Sequence, residues 1–241
     1  MKKNSREKLE FIEMQIFKTN QLLDFGLDEN ALKKNKEIAI EIENLSDKLH
    51  DTEELSQSNL ITEELFEKIS PSLPARTFGK KITQIYNSDE HGYSLQTLYR
   101  RCRAWTSNSE LWDEITPFIL IISDSNDCVF GAFNTSLPRI KEKLFIGTGE
   151  SFLFKVKPEV SIFPWSHENS YFMNCGLDYL SIGGTNTGQL RPGRGSFGMG
   201  LWIDNDLKRG RSMKCETYNS DILSSEEDFI ITSVELWSFV S

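Results

Sequence analysis

Three glycines, Gly193, Gly195 and Gly198, stand in the spacing G-x-G-x-x-G, a pattern whose backbone turn can cradle the phosphates of a nucleotide. That chemistry needs a helix opening at the third glycine, so that its free N–H groups point at the anion. Here Phe197, Met199, Leu201 and Ile203 alternate with Gly198, Gly200 and Trp202, a period of two that predicts a strand. The run DND at 204–206 closes it as a turn. The glycines are therefore read as a flexible connection between strands, and phosphate binding is set aside.

A second set, His91, His167, Glu150, Glu168, Cys215 and Glu216, has the residue types of hydrolytic or metal chemistry. His167 and Glu168 are adjacent, so on a strand they face opposite ways and do not jointly ligate a metal, and the pair lacks the H-E-x-x-H spacing. Cys102, Cys128, Cys175 and Cys215 lie far apart without a C-x-x-C pair, which argues against a zinc knuckle or a disulfide framework and for reduced thiols. Direct redox chemistry would fall to Cys175 or Cys215 and would require an exposed sulfur of lowered pKa. No catalytic centre, metal or other cofactor is expected.

The elements that must position these residues change character along the 241-residue chain, which is 38% hydrophobic. That length suits one main domain with an appendage. The net charge of −9 repels phosphate backbones and anionic lipids, so neither a nucleic-acid partner nor membrane insertion is expected. KRGR at 208–211 is read as an exposed turn. The start, MKKNSREKLE, lacks an apolar leader and no run approaches the length of a membrane span, so a cytoplasmic location is expected.

Leu9, Ile12, Ile16, Thr19 and Leu23, then Ala31, Asn35, Ile38, Ile42, Leu45 and Leu49, recur at helical spacing, with Gly26 and Asp28 as caps at the break between them. Residues 1–58 are read as an amphipathic helical region and linker, and 59–241 as the main domain. In the latter Thr62 caps a short helix stopped by Pro71 and Pro74, a helix is predicted around Ile82, Ile85 and Tyr86, and Ser94 caps another. From Phe118 onward short apolar or alternating runs, at 118–123, 129–133, 151–156, 171–175, 179–183, 197–203 and 228–240, are separated by turn clusters. The fold class is α+β, mostly β: an antiparallel two-sheet β-sandwich flanked by helices.

The ordered set HGYSLQTLY at 91–99, VFGAF at 129–133, GTGESFLF at 147–154, the NSYF and LSIGG steps, GLWIDNDL at 200–207, CETYNS at 215–220 and a closing VELWSF resembles the TLDc domain of the oxidation-resistance protein family. The resemblance runs from about residue 60 to the C-terminus. The chain departs from the pattern in a lengthened glycine loop and in WTSNSELWDE at 105–114. The resemblance implies a helix-flanked β-sandwich, a part in oxidative-stress resistance, and binding to the V1 sector of the vacuolar-type proton pump (V-ATPase), whose peripheral stalk and catalytic head subunits are the possible contacts. Some such proteins promote or maintain detachment of V1 from the membrane sector. Recruitment to the vacuolar or endolysosomal surface would follow through the pump.

Gly131, Gly149 and Gly198 are read as permitting backbone shapes on which partner binding depends. Glu150 either hydrogen-bonds the glycine turn before it or faces a partner. Asp204, Asp206 and Glu216 are expected to cluster in the C-terminal loops and to suit a basic surface. Trp165, Trp202 and Trp237 are read as packing residues, or as anchors where exposed. The N-terminal seam either folds back, pairs with another copy, or inserts between stalk helices.

Overall fold

A computed structural model describes residue 58 and residues 60–107, 116–141, 145–185 and 198–240. The expected N-terminal helices, most of the long glycine loop with Gly193 and Gly195, and most of the 105–114 insertion lie outside the described residues. All described residues belong to the compact unit Ser58–Ser241.

Helix α1 (Glu63–Ile69) starts where expected, with the Thr62 hydroxyl accepting the Leu65 N–H at 3.2 Å, the role of a serine or threonine N-cap. Two 3-10 turns, Ser70–Ser72 and Ala75–Thr77, follow at the prolines. The next element is a correction. Lys81–Asn87 is strand β1, not a helix. It pairs antiparallel with the C-terminal strand, and the register slips between Gln84 and Tyr86. The extra residue, Ile85, lets Ile82, Ile85 and Tyr86 all be buried, so a β-bulge reproduces the three-and-four spacing that periodicity assigns to a helix.

One turn of helix, α2 (Ser88–His91), leads to α3 (Leu95–Ser107). Ser94 caps α3, its hydroxyl accepting the Thr97 N–H at 3.3 Å. Leu95, Leu98, Tyr99 and Cys102 form the buried stripe, spaced as one face of a helix. Arg101 ties the helix to β1 by donating from Nε to the Ile85 carbonyl at 2.5 Å.

The remaining strands are β2 (Phe118–Asp124), β3 (Val129–Asn134), β4 (Phe152–Lys157), β5 (Ser161–Pro164), β6 (Met173–Cys175), β7 (Tyr179–Ile182), β8 (Leu201–Asp204), β9 (Arg209–Arg211) and β10 (Asp228–Val240). Seven fall in the runs expected from the sequence. Strands β5 and β9 do not: the KRGR stretch forms β9, where Gly210 is buried and pairs with Phe229. A strand of three residues carries too few side chains to display alternation.

Every pairing is antiparallel. The order is β5-β4-β3-β2-β10-β9-β8-β7-β6, with β1 on β10. The molecule is thus mostly β, and one continuous hydrogen-bonded path joins strands that the sequence reading divides between two sheets. The join is β10: residues 228–230 pair with β9, and from Ile231 onward the strand pairs with β2.

The apolar run of β2 is buried on both faces. Leu120 and Ile122 enter a core cluster with Phe130, Leu153, Leu180, Ile182, Leu201, Ile203 and the buried stripe of α3. Ile119 and Ile121 alternate with them and are equally inaccessible. Continuous rather than alternating hydrophobicity is what a strand covered on both faces requires.

Candidate functional site

Five loops meet beyond the ends of the strands, and the smallest residues set how closely. Trp165, just after β5, lies over Gly149, where a Cβ would fall 2.2 Å from the indole ring. The indole is held in place, since its Nε1 donates to the Asn169 carbonyl at 2.7 Å and its ring meets Phe172 edge-on. Asn169 passes the contact on. Its Oδ1 accepts from the Thr217 hydroxyl at 2.6 Å, and Thr217 Oγ1 in turn accepts the Gly184 N–H at 2.9 Å. Thr217 is fully buried, so this side chain locks the 165–169, 183–185 and 215–218 loops together with few competing water contacts.

Gly198 joins through Thr185, whose hydroxyl donates to the Gly198 carbonyl at 3.2 Å and accepts the Glu216 N–H at 3.3 Å. Gly198 has φ +56°, a left-handed conformation that glycine adopts at least cost. No helix begins there, as β8 opens at Leu201, which agrees with the strand reading of the glycine-rich stretch. Ser166 completes the assembly, donating from its hydroxyl to the Glu216 carbonyl at 2.5 Å.

Of the residues singled out from sequence, Gly149, Gly198, Cys215 and Glu216 therefore meet in one loop cluster, with exposed Glu150 at its edge. Glu150 forms an ion pair with Arg76, its carboxylate also accepts the Thr148 hydroxyl of the glycine turn at 3.5 Å, and its own backbone N–H meets Thr148 Oγ1. Both partners of the pair are more than a third exposed, so Glu150→Ala is expected to lower stability by less than about 1 kcal/mol. Thermal unfolding checks this. A larger loss of partner binding at unchanged melting temperature would mark Glu150 as a contact residue.

Other expected neighbours are apart. Asp204 Oδ1 accepts the backbone N–H groups of Lys208 and Arg209 at 3.0 and 3.3 Å, closing the β8–β9 turn in which Asp206 is exposed. Glu216 lies beyond the opposite, open end of that hairpin, so the three carboxylates do not form one patch. Gly131 sits inside β3, paired with Ile121. Trp237 is a core residue, whereas Trp165 and Trp202 are half-buried. Trp165 is among the packing residues expected from sequence, whereas the parts played by Asn169 and Thr217 are not singled out there. The NSYF and CETYNS segments hold these two, but their loops are distant along the chain.

Among the described residues, neither His91 nor His167 is hydrogen-bonded to Cys215. His91 stacks on Tyr86, with Nδ1 3.1 Å from the Asn87 N–H, while His167 packs on Trp165. Among the described residues there is no group of three or more His, Cys, Asp or Glu side chains arranged to hold a metal.

All four cysteines are free and buried. Burial pushes the Cys175 thiol up to about 12, and pushes the Cys215 thiol up as well against the weaker opposing pull of its hydrogen bonds. Both shifts run opposite to what a reactive thiolate needs. Because the folded pKa values are raised, the stability linked to these thiols is fully present below the ordinary thiol range, about 8.5, and is lost as pH climbs through that range toward the raised values. Brief alkylation of the native chain at pH 8 is expected to leave Cys175 and Cys215 unmodified, with both labelled in denaturant, as read by intact mass.

The TLDc domain family matches residues 54–240. Nuclear receptor coactivator 7 of Gallus gallus is 42% identical over 173 residues, which are 72% of this chain and 17% of that protein. Oxidation resistance protein 1 of Xenopus tropicalis is 38% identical over 182 residues, 76% of this chain and 19% of that protein. The human oxidation resistance protein 1 is 37% identical over 182 residues, 76% and 18% respectively. The chain thus spans less than a fifth of the length of these curated relatives. With the match covering every described strand, the loop cluster of Gly149, Trp165 and Thr217 is built within a TLDc domain, and the chain belongs to the TLDc family.

Proposed function

We propose that this chain is a non-enzymatic regulator that binds the V1 sector of the vacuolar-type proton pump, promotes or maintains its detachment, and thereby contributes to oxidative-stress resistance. The observation that carries the reading is the TLDc match over residues 54–240, through the pump binding that the family resemblance implies. The relatives at 37–38% identity are named for oxidation resistance, which supports the stress-related part. We read the fold that serves this role as a two-sheet sandwich, a reading supported by the approach of Leu153 of β4 to Gly200 ahead of β8. Its loop cluster offers a fixed surface carrying the exposed carboxylates Glu150, Glu168 and Glu216. Charge of this sign suits a basic face on a stalk or head subunit.

The chain acts on the cytoplasmic side and reaches the vacuolar or endolysosomal membrane through the pump. Among the described residues no helix is long and apolar enough to cross a membrane. The competing reading, an antioxidant acting through Cys175 or Cys215, needs an exposed sulfur, and burial of both thiols weighs against it.

The test adds the full chain to membranes carrying the intact pump, measures ATP hydrolysis, and sediments the membranes. Loss of activity with V1 in the supernatant is the expected result. Equal affinity for attached and detached V1 would overturn the disassembly part, because a ligand shifts an equilibrium only by its differential affinity. Absence of binding would overturn the whole reading. Deletion of residues 1–58 then separates any contribution of that region from that of the TLDc domain.

A further inference from the structure

Thr217 is completely inaccessible, yet its hydroxyl is the meeting point of three loops. A hydroxyl carries one proton and two lone pairs. Here the oxygen donates to Asn169 Oδ1 at 2.6 Å and accepts the Gly184 N–H at 2.9 Å. The Gly184 carbonyl, 3.0 Å away, is a longer alternative for the same proton. Backbone bonds already bring these loops together: the Thr217 N–H donates to the Gly184 carbonyl at 3.1 Å, and the Ser166 N–H to the Thr217 carbonyl at 2.9 Å. The side chain is therefore not what gathers the loops. It fixes how they are arranged once gathered.

The arrangement matters because two of the loops carry exposed residues of the cluster, His167 and Glu168 on one, Glu216 and Asn219 on the other. Asn169 and Thr217 are 48 residues apart in the chain, so no local turn geometry relates these side chains to one another. The link also extends further. The Asn169 carbonyl accepts the Trp165 indole N–H at 2.7 Å, and Trp165 lies over Gly149, which precedes Glu150. One buried hydroxyl thus sets the relative placement of surface residues from three separate stretches of sequence.

We propose that Thr217 is a positioning residue of the partner-binding surface: it touches no partner, and it holds the loops of Glu150, His167, Glu168 and Glu216 in the geometry that the partner recognises. This rests on the reading of the loop cluster as the face presented to V1. A surface already held in its bound arrangement loses less conformational entropy on association. Without the hydroxyl, the buried Gly184 N–H loses this acceptor. Asn169 then keeps only the longer contacts of its side chain, from the Tyr171 N–H at 3.1 Å and to the Gly184 carbonyl at 3.3 Å. A buried donor deprived of its partner favours states in which water reaches it, so the 165–169 and 183–185 loops open more often.

The test separates the shape of the side chain from its hydroxyl. Thr217→Val keeps the branched shape and removes the hydroxyl, whereas Thr217→Ser keeps the hydroxyl and removes a methyl group. Affinity of the full chain for purified, detached V1 is measured for the parent and both variants, with the melting temperature of each. Thr217→Val is expected to bind about tenfold more weakly, and Thr217→Ser to stay within about threefold of the parent even where its melting temperature falls. Asn169→Ala removes the acceptor and is expected to weaken binding by a similar factor, adding little when combined with Thr217→Val because both act through one bond. Asn169 is half-buried, so this variant carries the test if Thr217→Val does not fold. Native-state amide exchange read by NMR needs no partner: the Gly184 amide is expected to exchange at least about tenfold faster in Thr217→Val than in Thr217→Ser.

Affinity that follows melting temperature, with Thr217→Ser as weak as Thr217→Val, overturns the proposal. So do independent losses that multiply in the double variant. Equal Gly184 exchange in the two Thr217 variants also overturns it, since the backbone bonds alone then hold the loops. If the parent itself does not bind V1, the reading of the loop cluster falls and the role of Thr217 with it. Parent binding that all variants retain removes the role of Thr217 alone.

Discussion

Gly131→Ala is expected to destabilise the domain by about 3 kcal/mol or more and to give a chain that expresses poorly or unfolds well below the parent temperature. A Cβ built at this position would lie 1.9 Å from the Leu120 carbonyl oxygen and 2.8 Å from the Phe154 ring. The aromatic ring could rotate away. The carbonyl could not, because it belongs to β2, which is held between β3 and β10 along its length. Relief therefore requires separating two central strands, losing ladder hydrogen bonds and the packing of Leu120, Phe130 and Ala132 in one core. Gly79→Ala provides the contrast. Gly79, unlike Gly131, has a positive φ, of +71°, and open space around its α-carbon, so its cost is confined to backbone strain of about 1 kcal/mol. Urea denaturation of the two variants should separate them by at least about 2 kcal/mol. Comparable small losses would mean that the strands part more readily than the paired register indicates. Any binding defect of Gly131→Ala is then an effect on the fold and not on a contact.

The pattern of success in the sequence reading follows from what each signal measures. Long apolar runs bounded by turns identified β2, β3, β4 and β10, since burial and chain reversal both leave marks in the local sequence. The caps at Thr62 and Ser94 were legible for the same reason: a hydroxyl that accepts an N–H three residues on is a local interaction. The bulge at Ile85 was not legible, because the register that creates it is set by β10, about 150 residues away. Site geometry depended still more on distant partners. Gly149 was singled out as a conformational residue, but the reason lies in Trp165, and the reason Trp165 holds its place lies in Asn169 and then Thr217. Cys215 could be named as a thiol from its type alone. Its burial against Gly183 and Tyr218, which decides its chemistry, belongs to the packed structure.

Glu235→Ala is expected to cost about 3 kcal/mol, mainly by stranding the groups that now share its carboxylate. Glu235 is completely inaccessible in β10, opposite Asn87 of β1. Its Oε2 accepts the Trp237 indole N–H at 3.0 Å and the Ser58 hydroxyl at 2.5 Å. Ser58 Oγ also accepts the N–H groups of Leu60 and Ile61, so the buried carboxylate fixes the turn by which the chain enters α1. Removing the carboxylate leaves the indole N–H of a core tryptophan without that acceptor and releases the Ser58 turn. A buried group deprived of its partner costs more than the bond is worth on balance. Ser58→Ala removes only the outer contact and is expected to cost about 1 kcal/mol. The double variant should fall short of the sum of the two single losses, since Ser58 and Glu235 act through one shared bond. Chemical denaturation of the four chains measures this directly. Strict additivity would show that the carboxylate acts on Trp237 alone, and a loss in Glu235→Ala below about 1 kcal/mol would show that the core reorganises around the missing group.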